Sequence, residues 1–271
     1  MGNIWVGYYN NMNILIVGRG WVGLKAFDQL VIKGHVVTIC PHHKAERAIQ
    51  QNSYYDWVIN CAGVTGSPNV DACEKIKRET MEANGIFPLR LLEECDKVDA
   101  RFAHFSSGCI YEGEIDDVYA DPNFFGSAYS VSKGVSDLLL KDRCLLFRVR
   151  LPFDDTNNSK NLLQKLYNYS KSGKLMEGGL NSITDIDEAV EHAINLIEKD
   201  ANGPFNLVNW DPITNHEIAD MMGLDCDWYT KEEFIGVTTA RRSNCVIPAY
   251  ERMSPVKIAL AKRIEIFKET L

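Results

Sequence analysis

Tyr129 and Lys133 stand four residues apart in the run Y-S-V-S-K. At helical spacing both side chains leave one face of the helix. A lysine ammonium beside a phenol favours the phenolate, so such a pair can exchange a proton near neutral pH. Ser107 lies upstream at the end of a predicted strand, where a cleft outside the carboxyl edge of a sheet would receive its hydroxyl. Y-x-x-x-K alone is a frequent chance pattern. Here it is joined by a glycine-rich turn, Gly18-Arg19-Gly20-Trp21-Val22-Gly23, and by Asn60-Cys61-Ala62-Gly63 after a third apolar run.

The glycine turn has the context that makes G-x-G-x-x-G informative: a short apolar run at 13–17 before it and a helical pattern to Lys33 after it. Gly18 permits a tight turn, Gly20 lets the backbone approach a pyrophosphate, and Gly23 allows close helix–strand packing. Trp21 and Val22 then open a helix whose free N–H groups suit phosphates. A purely structural turn is the bland alternative. The end of the second strand selects the cofactor. NAD sites place an acid there for the ribose hydroxyls, whereas this chain offers Cys40-Pro41-His42-His43-Lys44 and Arg47, with no acid before Glu46. His43, Lys44, Arg47 and Arg19 favour a 2′-phosphate, hence NADPH over NADH, without making the choice strict. The competing reading is a set of solvated loop charges.

Buried-type runs at 13–17, 35–40, 57–61, 101–105 and 144–149 alternate with helical patterns to Lys33 and at 69–77, 78–95 and 127–141. That rhythm predicts βαβ units and a Rossmann-type, doubly wound parallel α/β sheet. After Pro152 it changes to helical patterns at 160–172, 185–199, 215–222 and 254–263, with short strands such as 204–208 between them. The expected division is a dinucleotide-binding domain over 12–152 and a smaller substrate lobe over 153–271, some of whose strands return to the main sheet. Met12 directly precedes the first strand, so residues 1–11 read as a loose extension. The 29 basic and 37 acidic side chains give a net charge of −8 without a basic stripe, which argues against a nucleic-acid surface. No apolar run reaches the roughly 18 residues of a membrane helix. The eight cysteines form no C-x-x-C pair and the six histidines lack metal spacing, so the chain reads as a reduced, cytoplasmic protein without a metal.

Longer stretches carry a resemblance. They are N-C-A-G-V-T-G-S-P-N-V-D-A-C-E (60–74), S-S-G-C-I-Y-E (106–112), F-F-G-S-A-Y-S-V-S-K (124–133), F-R-V-R-L-P (147–152), N-L-L-Q-K-L (161–166) and R-S-N (242–244). Together they resemble the extended short-chain dehydrogenase/reductase superfamily. Within it, the chain is similar to the dTDP-4-dehydrorhamnose reductase-like branch that includes the nucleotide-rhamnose epimerase-reductases of plants and large DNA viruses. Ser107 departs from the threonine of plant members but keeps the hydroxyl.

The resemblance implies epimerisation of UDP-4-keto-6-deoxy-D-glucose at carbons 3 and 5, then reduction at carbon 4 by NADPH, giving UDP-L-rhamnose. It assigns Ser107, Tyr129 and Lys133 to the reduction. Cys109 becomes the candidate base and Lys165 the opposing acid of the epimerisation. Thr65, Asn69, Ser107, Asn161 and Arg242 become candidate substrate contacts. Asn60, Ala62, Gly63 and Asn84, with Tyr129 and Lys133, become candidate cofactor contacts. The implied partners are a nucleotide-sugar substrate and a separate 4,6-dehydratase that supplies it, with UDP versus dTDP and a homodimer left open. Two other readings stay open: a 4-ketosugar reductase without epimerase activity, and a nucleotide-binding regulatory subunit that has lost its chemistry.

Overall fold

The run N-I-L-I-V forms the first strand because it can be buried on both faces, and all but its first residue is buried. The computed structural model describes residues 11–271 apart from 53, 173 and 176–178, so most of the extension expected at 1–11 lies outside the described residues. Six strands build the central sheet: β1 (Asn13–Val17), β2 (Val36–Cys40), β3 (Trp57–Asn60), β4 (Arg101–Ser107), β5 (Leu145–Val149) and β6 (Gly203–Asn206). They lie in the order β6-β5-β4-β3-β1-β2, every neighbouring pair parallel. The protein has the Rossmann-type doubly wound fold. The chain reverses direction across the sheet between β1 and β3, and a ligand crevice forms outside the carboxyl ends at such a point.

Helices α1 (Trp21–Ile32), α2 (Ala45–Gln50), α3 (Lys77–Met81), α4 (Phe87–Lys97) and α5 (Ala128–Leu140) connect the first five strands. Then follow α6 (Leu162–Ser170), α7 (Ile186–Glu198), α8 (Asn215–Met222), α9 (Lys231–Val237) and α10 (Val256–Glu269). Side chains alternate across the strands. Ile14, Ile16, Phe105 and Phe147 pack with residues of α1 and α7, while Leu15, Val17, Phe102 and Leu146 pack with those of α2, α4 and α5. A further core joins Phe153, Leu163 and Leu166 to Ile218, Leu260 and Phe267 of α8 and α10. The chain beyond Pro152 thus builds that core and also lends β6 and α7 to the first. No helix among the described residues is long and apolar enough to cross a membrane.

Several elements differ from expectation. Residues 69–77 do not form an α-helix; Asn69 instead caps a tight 3-10 turn at Val70–Lys75. The helix expected over 78–95 is interrupted by a π-turn at Glu82–Ile86. Pro88 has no N–H for the carbonyl four residues back, which is that of Asn84, so the regular ladder fails there. Gly85 sits in the gap, where a Cβ would come within 3.3 Å of the Ser132 carbonyl of α5. Helix α9, with its Thr230–Glu233 capping box, was not expected.

One ion pair locks α5 to the sheet. Arg148 of β5 donates Nε (2.9 Å) and Nη2 (2.7 Å) to Asp137, which also accepts the Ser106 hydroxyl of β4 at 2.8 Å. Both charges are wholly buried. Removing one partner strands the other in low dielectric. Asp137→Ala should therefore lower unfolding free energy by about 3–5 kcal/mol, read from urea denaturation; a loss under about 1 kcal/mol would contradict this role.

Candidate active site

The glycine turn is built for close approach. Gly18 adopts φ +107°, and a Cβ there would strike Ala62 N at 2.8 Å; one on Gly23 would meet the Gly18 carbonyl at 2.0 Å. Nothing lies within 4 Å of where a Gly20 Cβ would sit. The N-terminus of α1 has neither a side-chain cap nor an acid in its first turn. Its N–H groups and dipole are left for an anion, so these residues fit a dinucleotide pyrophosphate. The Trp21 indole faces inward, donating to Asp154 at 3.0 Å, and Lys25 reaches the same carboxylate at 2.9 Å.

The end of β2 is cationic. Arg19 donates to the Ile39 carbonyl at 3.2 Å, which lays its guanidinium over the strand end. Burial pushes the Cys40 thiol up, while Arg19 and Lys44 pull it back. His43, Lys44 and Arg47 are exposed on the turn and helix that follow. Glu46, the nearest acid, is paired with Arg90 at 2.9 Å. These are the groups that could hold a 2′-phosphate.

Beyond β3 the loop is braced from within. Asn60 accepts from Ala62 N at 3.0 Å and meets His104 Nδ1 at 3.1 Å. Asn84, in the π-turn, bonds both backbone groups of Val64 at 2.8 Å and the Ser132 hydroxyl at 3.3 Å. Both amides are fully buried and shape the loop. Gly63 is a close neighbour of Lys133, whose Nζ would lie 3.5 Å from a Cβ there. Thr65 is half-buried on the same loop.

Ser107 ends β4, and its Oγ accepts from Cys109 N at 3.1 Å, capping the turn Gly108–Ile110. Tyr129 and Lys133 share one face of α5, which starts at the Ser127 cap. Lys133 is 5% exposed and donates Nζ to the Phe105 carbonyl at 3.1 Å. Burial lowers its ammonium to about 8, with Asp137 pulling the other way. Packing also pushes the Tyr129 phenol well above its ordinary range; Cys109 adds to this and the adjacent Ser107 hydroxyl opposes it. The expected phenolate is therefore corrected. Burial outweighs the opposing pull of Ser107 and Arg150, which favours the neutral phenol, the form that donates a proton.

Cys109 is half-buried beside this pair, and its charge acts on both Tyr129 and Lys165. Lys165, from α6, has no side-chain hydrogen bond or ion pair among the described residues. Burial lowers its ammonium, Lys160 and Arg242 lower it further, and Cys109 opposes them. Arg242 donates to Asp71 (2.9 Å) and to the Ala240 carbonyl (2.5 Å). Asn69 accepts from Asp71 N at 2.9 Å and donates to the Tyr169 hydroxyl of α6 at 3.2 Å. Turn 69–75, α6 and the segment around Arg242 thus meet near Lys165. Asn161, expected as a substrate contact, braces the start of α6 in this structure. It is fully buried, donating to Asp154 and Thr156 and accepting from Leu163 N at 3.0 Å, which fixes the start of α6. Sequence reasoning missed Asp71, Glu74, whose carboxylate caps α5 at Ala128 N (2.6 Å), and Arg150 behind Gly108. The arginines alternating within F-R-V-R-L-P were the available signal.

A family model described as the RmlD substrate binding domain matches residues 12–269. The chain belongs to this family. It is 34% identical over 205 residues to a trifunctional UDP-glucose 4,6-dehydratase/UDP-4-keto-6-deoxy-D-glucose 3,5-epimerase/UDP-4-keto-L-rhamnose-reductase of Arabidopsis thaliana. That match takes in 69% of this chain but only 30% of the relative, so the chain spans about a third of that protein's length. A bifunctional dTDP-4-dehydrorhamnose 3,5-epimerase/dTDP-4-dehydrorhamnose reductase of the same plant is 30% identical over 258 residues, covering 87% of this chain and 84% of its own. In fold, the chain matches the crystal structure of the L780 UDP-rhamnose synthase from Acanthamoeba polyphaga mimivirus with a TM-score of 0.84 at 23% identity, covering 94% of this chain and 99% of that one.

The buried ammonium of this RmlD-family site has a thermodynamic signature. Lys133 titrates near 8 when folded and near 10.5 in its ordinary state, so between these values the unfolded chain holds the extra proton. Stability from this group then rises with pH, by up to about 1.4 kcal/mol per unit. The difference in unfolding free energy between the wild type and Lys133→Met should climb from pH 8 to 10. A difference that stays flat would show that Lys133 is not held at low pKa.

Proposed function

We propose that the chain is an NADPH-dependent reductase of 4-keto-6-deoxy nucleotide sugars whose cleft also inverts carbons 3 and 5, converting UDP-4-keto-6-deoxy-D-glucose to UDP-L-rhamnose. The observation that carries this reading is the meeting of Cys109 and Lys165 beside Ser107 and Tyr129. A plain reductase would need only Ser107, Tyr129 and Lys133. The relatives named for the same steps support it, as does the matching fold of a UDP-rhamnose synthase.

NADPH, when bound, supplies the hydride for carbon 4. The Gly18–Gly23 turn and the start of α1 would hold its pyrophosphate, and Arg19, His43, Lys44 and Arg47 its 2′-phosphate. Tyr129 donates its phenolic proton to the oxygen at carbon 4, Ser107 hydrogen-bonds that oxygen, and Lys133 adds a fixed positive charge. Before reduction, the ketone acidifies the hydrogens on carbons 3 and 5. At each carbon in turn Cys109, as thiolate, removes the proton and Lys165 returns one from the opposite face, its lowered pKa making it the stronger acid; solvent takes the proton from the thiol and restores the ammonium between rounds. Arg242 keeps one edge on Asp71 and offers the other to the diphosphate, near Thr65 and Asn69. The α6 side of the molecule, with the core beyond Pro152, forms the substrate lobe. A 4,6-dehydratase activity must supply the ketosugar.

Replacing His43, Lys44 and Arg47 with alanine should weaken NADPH binding far more than NADH, since each charge-assisted hydrogen bond contributes about 1.5–3 kcal/mol. Fluorescence titration with both cofactors checks this, and equal losses would separate these residues from the phosphate.

The two halves of the reaction can be dissected. Tyr129→Phe should reduce 4-keto turnover about 10²–10⁴-fold with NADPH affinity retained. Cys109→Ser should still reduce an already epimerised 4-ketosugar while losing deuterium exchange from heavy water at carbons 3 and 5 of the unepimerised one. Wild-type formation of UDP-L-rhamnose from the unepimerised ketosugar by Cys109→Ser would remove Cys109 as the base, whereas absence of exchange at carbons 3 and 5 in the wild type would leave a reductase-only account.

A further inference from the structure

Arg150, just beyond β5, is 1% exposed and meets only neutral acceptors. Nη1 donates to the Gly108 carbonyl (3.3 Å) and the Ser243 hydroxyl (3.5 Å); Nη2 donates to the Ser243 carbonyl (2.7 Å) and the Asn181 side chain. Its Nε is buried without a partner, and no carboxylate pairs with it among the described residues. Arg148, two residues earlier, is by contrast fully paired with Asp137. Removing a cation from water without a counter-ion is expensive, yet the fold shapes itself around this one. A Cβ on Gly108 would sit 3.0 Å from Ile247 Cδ1, 3.2 Å from Arg150 Cβ and 3.4 Å from its Cδ, so the glycine before Cys109 makes room for Ile247 and the arginine stem. The guanidinium acts on Tyr129 and Cys245, each of which also feels Cys109.

We propose that Arg150 is a positioning residue whose unpaired buried charge stabilises negative charge on the Cys109 sulfur and, through the Gly108 carbonyl, fixes the turn that carries it. The use made of that charge rests on the epimerase-reductase reading; the charge itself does not. Three titratable groups interact with Cys109, namely Tyr129 from α5, Lys165 from α6 and Cys245 from the short strand at Cys245–Val246, and Arg150 lies behind Gly108, the residue before it. Arg242 adds its charge through Lys165. Burial pushes Tyr129 and Cys245 up, which favours their neutral forms, and the cations on this side of the site are Arg150 and Lys165. The bonds from Arg150 to Ser243 also join the Cys109 turn to the residue beside Arg242, so the base and the candidate diphosphate contact keep one geometry.

The test is the pH dependence of Cys109 alkylation by iodoacetamide in the ligand-free full chain, localised by peptide mass, because only the thiolate reacts. Arg150→Gln should raise the midpoint by about one pH unit, slowing alkylation about tenfold below it. Arg150→Lys, which loses the fork but keeps the charge, should stay near the wild-type midpoint. Arg150→Met keeps the stem against Gly108 and serves if the glutamine variant fails to fold. An unchanged midpoint in the neutral variants, or an equal shift in Arg150→Lys, overturns the proposal. Deuterium exchange at carbons 3 and 5 of the ketosugar by the wild type is read in parallel. A shifted midpoint without exchange removes the epimerase reading and keeps the role of Arg150; exchange with an unshifted midpoint does the reverse.

Discussion

Asp137 fastens one helix to two strands. It takes a two-pronged bond from Arg148 on β5 and a hydroxyl from Ser106 on β4. Lys133 and Tyr129 lie one and two turns earlier on the same helix, and Ser107 follows Ser106 on the same strand. The anchor therefore sets the distance between the phenol and the serine. Lys133 adds a second tie through the Phe105 carbonyl. A buried carboxylate with three hydrogen bonds is rigid because any rotation would leave a charge unsatisfied in low dielectric. The site inherits that rigidity.

Burial then acts on the site's groups in opposite senses. It raises the acid Tyr129 and lowers the cations Lys133 and Lys165. Desolvation penalises whichever form is charged, so one physical cause prepares a proton-bearing phenol and an ammonium that parts with its proton readily. Burial supplies both from a single cleft.

The parts legible in the sequence were those encoded locally. The glycine turn, the Y-x-x-x-K face and the alternation of apolar runs with helical patterns depend on neighbours a few residues apart, and the parallel sheet follows from that alternation. The roles of Asn60, Asn84 and Asn161 were not legible, because an asparagine facing a ligand and one bracing a loop have the same sequence appearance; their partners decide. The interruption at Glu82–Ile86 needed Pro88, Asn84 and the approach of α5 together. Arg150 and the Asp71–Arg242 pair join residues remote along the chain; the alternation in F-R-V-R-L-P marks Arg150 but not its partners, and no periodicity announces the Asp71–Arg242 pair. The raised phenol of Tyr129 is likewise tertiary: its spacing from Lys133 is local, but the packing that desolvates it is not.

The pairing of β6 with β5 makes the second half of the chain a structural subunit of the first. Leu145, Leu146, Phe147 and Arg148 of β5 register with residues of β6, and α7 covers the face that carries Phe105 and Phe147. A fragment ending near Pro152 would carry an open, apolar strand edge and a bare sheet face, the combination that invites intermolecular pairing. During synthesis the Rossmann half must therefore wait, incomplete and adhesive, until some fifty more residues (203 against 153) have emerged. The contact that closes the sheet is a long-range one, so it forms late. Maturation of the nucleotide-binding half is thereby placed under the control of the other half's arrival.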